Sequence, residues 1–440
     1  MDGCVGRVEE LAYLNALWDK VPISCAVCGR RHLGKTALLR EFTRDKDHIY
    51  ITGTEGLRSD NLKEINLALS RFSGTDTSIS DIDELFPTIR KLCARRKVVV
   101  VIDRLADLTE NFEEINPYIR NFMTREMGGT RILLLVCDSD NSVFGRFYYN
   151  LELKPMSYID CKGFHPGYTA LQHLKVYAIV GGTPAYHHLF RSQDPDEVVR
   201  TQIFDHMSVF SLEVEGLVST EMATTGNCSK ILAAIADGAE SIRDMASRSG
   251  ISASFCSKMV EDMEHKGILR KEVSSGISRR AVYAINSNLI RFYYQVVYRY
   301  THVVEFESPE SAYDFAKQDI DAYMEREFKA ICMDHVTRSF EYRFVGKLRR
   351  RDDTVDEVID FLASVNEGGA QRMLVARCRL YGEPMGRREL DELVQRASAV
   401  DGPGKMYHLF SGSGFTSELR GVAEGDPDVR LISLDDVYEG

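Results

Sequence analysis

Ile23-Ser24-Cys25-Ala26-Val27-Cys28-Gly29-Arg30-Arg31-His32-Leu33-Gly34-Lys35-Thr36-Ala37-Leu38-Leu39-Arg40-Glu41-Phe42 joins a short apolar strand to an amphipathic helix through a glycine-bounded turn. Gly29 to Thr36 fits the pattern G-x-x-x-x-G-K-[ST]. In such a loop the glycines let successive backbone N–H groups curl around phosphate oxygens. The lysine reaches the terminal phosphates, and the hydroxyl after it binds Mg²⁺. The helix that follows points its positive end at the same anion. A chance match of so short a pattern is the competing reading; the strand before it and the helix after it argue against chance.

Working outward, four apolar runs have strand character: 23–28, 48–52, 98–102 and 131–137. Helical patterns over 35–45, 81–95 and 112–126 separate them, and a shorter strand candidate runs from Leu151 to Leu153. Strands alternating with helices predict a parallel α/β sheet covered on both faces. The run Val98 to Ile102 ends in Asp103, the acid expected to hold Mg²⁺ through water. From about 156 to 225 the signals are helical, broken at Gly181-Gly182-Thr183-Pro184. Residues 228–285 read helix, helix, helix, hairpin. A tyrosine-rich amphipathic stretch at 288–303 reads as core between domains. From about 325 the pattern returns to mixed α/β, with strand candidates at 358–363, 373–378 and 406–410.

The chain has 440 residues and a net charge of −11, which gives no general attraction to nucleic acid or anionic membrane. That length predicts two to four domains. No apolar run is long enough to span a bilayer, and the start lacks the pattern of a signal peptide. Cys25 and Cys28 lie in one strand, which points them to opposite faces. They read as buried small hydrophobes, and the compartment as the reducing cytoplasm.

Several motifs together resemble the archaeal-type ATPase family, a branch of the STAND class of AAA+-related NTPases. Gly6-Arg7-Val8-Glu9-Glu10-Leu11 is similar to the family's GRxxEL box at the adenine slot. The loop of Gly29, Arg30, Arg31, His32, Leu33, Gly34, Lys35 and Thr36 is similar to its P-loop. Ser139 falls where the family places a γ-phosphate sensor, and Gly145-Arg146 where it has an arginine that approaches the phosphates. Gly181-Gly182-Thr183-Pro184-Ala185-Tyr186 is similar to its GGxPxY motif, which sets a helical lid over the nucleotide. The resemblance implies ATP or ADP with Mg²⁺ as ligands, the metal held by Thr36 and Asp103. ATPases of this type usually follow the Mg²⁺ aspartate with a water-activating glutamate. Here residue 104 is an arginine; Asp107, one helical turn on, is the candidate substitute, and the favoured reading is that its side chain is merely solvated. Slow hydrolysis is the expectation.

The resemblance also implies a P-loop NTPase parallel sheet with a helical lid, then a winged-helix domain and an α/β restriction-endonuclease-like domain. The expected division is 1–155 ATPase core, 156–226 lid, 227–286 winged helix-turn-helix, 287–323 connector and 324–440 nuclease-like domain. On the winged helix, Ser254 and Lys258 of the third helix with Arg279 and Arg280 of the wing are the DNA-facing candidates. Glu261, Asp262 and Glu264 on the same helix favour packing instead. In the last domain only Asp360 remains of the nuclease chemistry. Lys329 and Arg377-Cys378-Arg379 replace expected acids, so metal-dependent cleavage is not expected; Arg377 and Arg379 are expected to pair with Asp360 and Glu357. The functional expectation is an ATP-binding switch whose nucleotide controls the later domains, with an unidentified protein partner and nucleotide-dependent homo-oligomers. The alternatives are a DNA-binding transcriptional regulator with structural nucleotide, and an active ATPase driving a partner.

Overall fold

Residues 4–139, 147–190, 194–205, 207–221, 225–273, 281–346 and 358–439 are described by a computed structural model. They form two compact units. The first comprises residues up to Phe164 together with Gly182–Leu189, and the second His165–Gly181 with the chain from Phe190 onward. The chain therefore passes between the units three times, at 164/165, 181/182 and 189/190.

In the first unit, strands β1 (Ile23–Cys28), β2 (His48–Thr52), β3 (Val98–Asp103), β4 (Ile132–Cys137) and β5 (Tyr149–Glu152) form one sheet. Its order is β2-β3-β4-β1-β5, and every pairing is parallel. Parallel strands need crossovers, here supplied by α2 (Lys35–Thr43), α3 (Arg58–Ser73), α4 (Leu85–Leu92), α5 (Leu105–Asn111) and α6 (Ile115–Asn121), while α1 (Val8–Trp18) precedes the first strand. Even-numbered residues of β3 and β4 (Val98, Val100, Ile102, Ile132, Leu134, Val136) pack with α3 to α6. Their odd-numbered neighbours (Val99, Val101, Leu133, Leu135, Cys137) pack with Leu14, Leu17, Leu38, Leu39 and Phe42 of α1 and α2. With both faces buried, the strands read as unbroken apolar runs. Cys28 falls on the first face and Cys25 on the second, and burial pushes the Cys25 thiol up to about 12. All ten cysteines are free.

The second unit begins with α7 (Ala170–Val180), then α8 (Val209–Glu221), α9 (Thr225–Ala236), α10 (Ile242–Ser249) and α11 (Ala253–His265). The antiparallel pair β6 (Leu269–Val273) and β7 (Ala281–Ile285) follows. Ser241 caps α10, its hydroxyl accepting from the Asp244 amide, and Gly250 ends that helix at φ 69°. Helices α12 (Asn288–Gln295) and α13 (Pro309–Ser339) come next. Their contacts hold the last turn of α7, where helix carbonyls run short of backbone donors. Asn288 Nδ2 donates to the carbonyls of Tyr177 and Ala178 at 3.2 Å each, and the Tyr323 hydroxyl to Ala178 at 2.9 Å. Arg291 meets Glu327 with two parallel bonds of 3.0 and 2.7 Å, the bidentate form that compensates a buried ion pair. Phe292 and Tyr294 are buried here, as the core reading of the tyrosine-rich stretch expects, while Tyr298 is exposed.

A mixed five-stranded sheet closes the chain: β8 (Glu341–Gly346), β9 (Phe361–Glu367), β10 (Ala370–Arg379), β11 (Lys405–Ser411) and β12 (Val429–Ser433), with order β12-β11-β10-β9-β8. Helices α14 (Arg387–Ala397) and α15 (Ser417–Gly425) cross between its later strands. On β11, His408 is 2% exposed and sits against Phe340 and Phe410. Burial, aided by Arg430, His335 and Arg372, pushes its imidazole down to about 3. The folded value lies below the unfolded value of about 6.5. The stability this neutral group preserves is thus present above about pH 6.5 and is lost as the pH falls from there towards 3. The loss is at most about 1.4 kcal/mol per unit. His408→Leu is expected to flatten that acid limb in a stability–pH series; a variant curve parallel to wild type would contradict the assignment. No helix among the described residues is long and apolar enough to cross a membrane.

Candidate functional site

The carboxyl ends of β1, β3 and β4 meet on one edge of the parallel sheet, the edge at which open α/β sheets bind ligands. A cleft of about 920 Å³ opens there, bounded by the turn after β1, by Asp103, Asp107, Asp138 and Ser139, and by Pro184 and His188. Gly34, at φ 84°, is the residue before α2; a left-handed backbone at that point is what glycine supplies without strain. His32 also takes a positive φ of 68°. Arg30, Arg31 and His32 are exposed, whereas Leu33 is buried and anchors the turn. Gly29 lies so close to β5 that a Cβ there would be 2.6 Å from the Leu153 carbonyl oxygen.

Lys35 Nζ folds back over the turn, donating to the Gly29 carbonyl at 2.5 Å and the Arg30 carbonyl at 2.8 Å, with Ser139 Oγ at 3.4 Å. Burial lowers its pKa, and Cys137, Asp138 and Asp103 nearby oppose that shift. Because β4 lies between β1 and β3, Ser139 reaches the same lysine. The Thr36 hydroxyl donates to Asp103 Oδ2 at 2.7 Å. Asp103 is 1% exposed, and its second donor is the Tyr50 hydroxyl at 2.8 Å. Burial and the Asp103 carboxylate raise the Tyr50 pKa, so that hydroxyl keeps its proton. One hydroxyl and one carboxylate at this spacing are the hard oxygen donors that suit Mg²⁺, which takes few protein ligands and completes its shell with water and phosphate.

Arg7 is buried and serves as a brace: it pairs with Glu10 at 2.6 Å and donates to the carbonyls of Leu33 and Lys154 at 3.0 and 2.9 Å. Gly6 lies against Met156 and Asp160. Gly182 accepts from the Met156 amide at 2.8 Å, and Pro184 starts the short helix Pro184–His187 beside Gly34. Asp138 ties the end of β4 to α5, accepting from the amides of Ala106 and, at 2.5 Å, Ser139. Asp107 is on α5, facing the cleft, 13% exposed and 2.5 Å from Arg104. Burial raises its pKa and Arg104 works against that; the solvated reading of Asp107 is therefore corrected. Sequence reasoning missed Tyr50 and the role of Asp138. The one signal for Tyr50 is its position two residues before the end of β2, in the strand beside β3. Arg146, Arg279 and Arg280 lie outside the described residues. Ser254 and Lys258 are exposed on α11 in the second unit.

In the carboxyl-terminal sheet the expected pairing needs correction. Asp360 is taken by Lys329 at 2.5 Å and by the Cys378 amide at 2.6 Å. Arg377 pairs with Glu392, and Arg379 with Glu389, each at 2.9 Å. Both arginines belong to β10, while those acids lie on α14, which follows it and is closer than Asp360. Glu357 lies outside the described residues.

No family model matches the chain. An uncharacterized protein of Methanocaldococcus jannaschii is 22% identical over 405 residues, covering 84% of this chain and 86% of that protein. Among solved structures, the Walker-type ATPase PABY2304 of Pyrococcus abyssi matches with a TM-score of 0.50 at 15% identity. The match spans 67% of this chain and 96% of that one. The fold is that of the P-loop NTPases. Cdc6p of Pyrobaculum aerophilum is similar at a TM-score of 0.36 and 14% identity, over 73% of this chain and 94% of that one. In this fold the cleft described above lies at the carboxyl-terminal edge of the parallel sheet.

Proposed function

We propose that the chain binds ATP with Mg²⁺ in this cleft and uses the nucleotide as a STAND-type switch, with hydrolysis slow. The observation that carries the reading is the joint placement of Lys35, Thr36 and Asp103, with an arginine where a water-activating acid is expected. Gly29 to Thr36 would cradle the phosphates, Thr36 and Asp103 would hold the metal, and Ser139 would sense the terminal phosphate. Gly6 and Arg7 would shape the base end, and Gly182 and Pro184 would bring the lid segment to the nucleotide. The metal supplies charge neutralisation between the phosphates. In this reading the core (1–155), lid (156–226), winged helix (227–286), connector (287–323) and nuclease-like domain (324–440) respond in turn to the nucleotide, in the cytoplasm.

Turnover is expected well below about 1 s⁻¹, the low end of ordinary enzyme rates. Phosphate release at or above that rate would show that Asp107 serves as an efficient base. Native mass measured with ATP, with ADP and without either tests the switch; an unchanged mass and unchanged protease sensitivity in all three would remove it. The protein is not expected to cut DNA with Mg²⁺ or Mn²⁺, because Lys329 already occupies Asp360. Cleavage abolished by Asp360→Ala would reverse that conclusion.

DNA binding is the second reading, favoured by the exposed Ser254 and Lys258 on α11. Exposed Glu261 and Asp262 on the same helix oppose it, so weak and salt-sensitive binding is expected at most.

A further inference from the structure

Arg104 is one of two described non-glycine residues with a positive φ, at φ 59° and ψ 53°. Residues with a side chain rarely take this conformation, and it persists where neighbours over-determine it. Here they do. The Gly53 amide donates to the Asp103 carbonyl at 2.8 Å, and any Cβ on Gly53 would overlap the Arg104 carbonyl oxygen. On the other side α5 begins at once, with the Ala106 amide fixed by Asp138. The backbone is thus locked, and it delivers a half-exposed guanidinium to the cleft one residue beyond the buried Asp103.

That guanidinium is held by two acids, Asp107 at 2.5 Å and Glu55 at 3.4 Å. All three side chains line the cleft with Lys35 and Thr36. Of the other arginines there, Arg31 belongs to the turn after β1, Arg44 pairs with Glu41 at 2.9 Å and Arg40 lies 6.0 Å from the Tyr50 ring. Among the arginines described there, Arg104 alone adjoins in sequence the aspartate that meets Thr36, the pair that would hold the metal. A guanidinium matches phosphate oxygens bidentately and exchanges a carboxylate for them without changing its own charge.

Resting on the nucleotide reading above, we propose that Arg104 distinguishes nucleoside triphosphate from diphosphate. Its guanidinium leaves Asp107 and Glu55 for the terminal phosphate, and returns to them when that phosphate is absent. The acids act as a competing anion that sets the affinity difference: they are satisfied in the diphosphate state and give up their cation in the triphosphate state. Arg104 is then a specificity residue of the switch, and its substitution for the usual acid gives up hydrolysis for detection.

The test is equilibrium binding of ATP and ADP, each with Mg²⁺, to wild type, Arg104→Gln, Arg104→Lys and Asp107→Asn, with the nucleotide-free melting temperature of each. Arg104→Gln is expected to weaken ATP about tenfold or more while leaving ADP within about twofold, a tenfold change being what one such contact amounts to. Arg104→Lys should retain part of the preference. Asp107→Asn, which keeps the shape and removes the competing charge, should strengthen ATP relative to ADP. Equal losses for ATP and ADP in Arg104→Gln, or no loss for either, would overturn the proposal. So would an Asp107→Asn ratio that stays at or falls below wild type. A wild-type chain that binds neither nucleotide would overturn the nucleotide reading itself, and Arg104's role with it.

Discussion

Wild-type protein with Mg·ATP at about a hundred times its Kd is expected to gain about 2.7 kcal/mol in stability by mass action. For a unit of this size that is a rise of roughly 5–10 °C in melting temperature, and Lys35→Ala is expected to show none of it. The reason lies in where the ammonium sits. It is partly buried and, among the described residues, bound to two loop carbonyls and near one hydroxyl, and its pKa is lowered because burial outweighs the acids around it. Phosphate oxygens would give it a negative partner. Without the amine, the charge of the terminal phosphates is met by backbone N–H groups alone. Thermal melts of both proteins, with and without nucleotide, check this; equal shifts would remove the cleft from consideration as the nucleotide site.

Gly182→Ala is expected to be among the most damaging single substitutions in the chain. A Cβ there would overlap the backbone oxygen and nitrogen of Met156, and backbone cannot rotate aside as a side chain can. The hydrogen bond from the Met156 amide to Gly182 would be broken at the same time. A loss on the order of 4 kcal/mol is expected, in the range reserved for severe clashes, together with loss of the ATP-dependent shift. Gly216→Ala is the control. Gly216 lies inside α8, where a Cβ meets nothing within 4 Å, and alanine there is expected to stabilise by about 0.5–1 kcal/mol. If the two variants melt alike, close packing of the Gly182 segment on Met156 is not what holds it.

The parallel sheet and the phosphate loop were legible because each imposes a pattern on contiguous residues. Strands buried on both faces must be apolar throughout, and Val98–Ile102 is so; a loop around phosphate must place glycine at fixed spacing. What the sequence hid depends on long-range pairing. Strand β8 shows four exposed residues in its first four positions and follows a 31-residue helix, so no alternation marks it. Strand β12 is five residues long and only its first is buried. Tyr50 meets Asp103 across neighbouring strands, 53 positions apart in sequence. The acids that take Arg377 and Arg379 come from the following helix, and nothing local distinguishes them from other surface glutamates.

The triple crossing between the two units has a consequence for how the protein can be made and cut. The first unit is completed by Gly182–Leu189, so its fold is unfinished on the ribosome until residue 189 has emerged, with α7 of the other unit already synthesised. A fragment ending at 164 would lack the acceptor for the Met156 amide and the proline beside Gly34, and one ending at 155 would lack Met156 as well. Neither a shortened amino-terminal clone nor a single proteolytic nick would therefore release the complete first unit: the chain is sewn into both halves, and separating them requires recircuiting it.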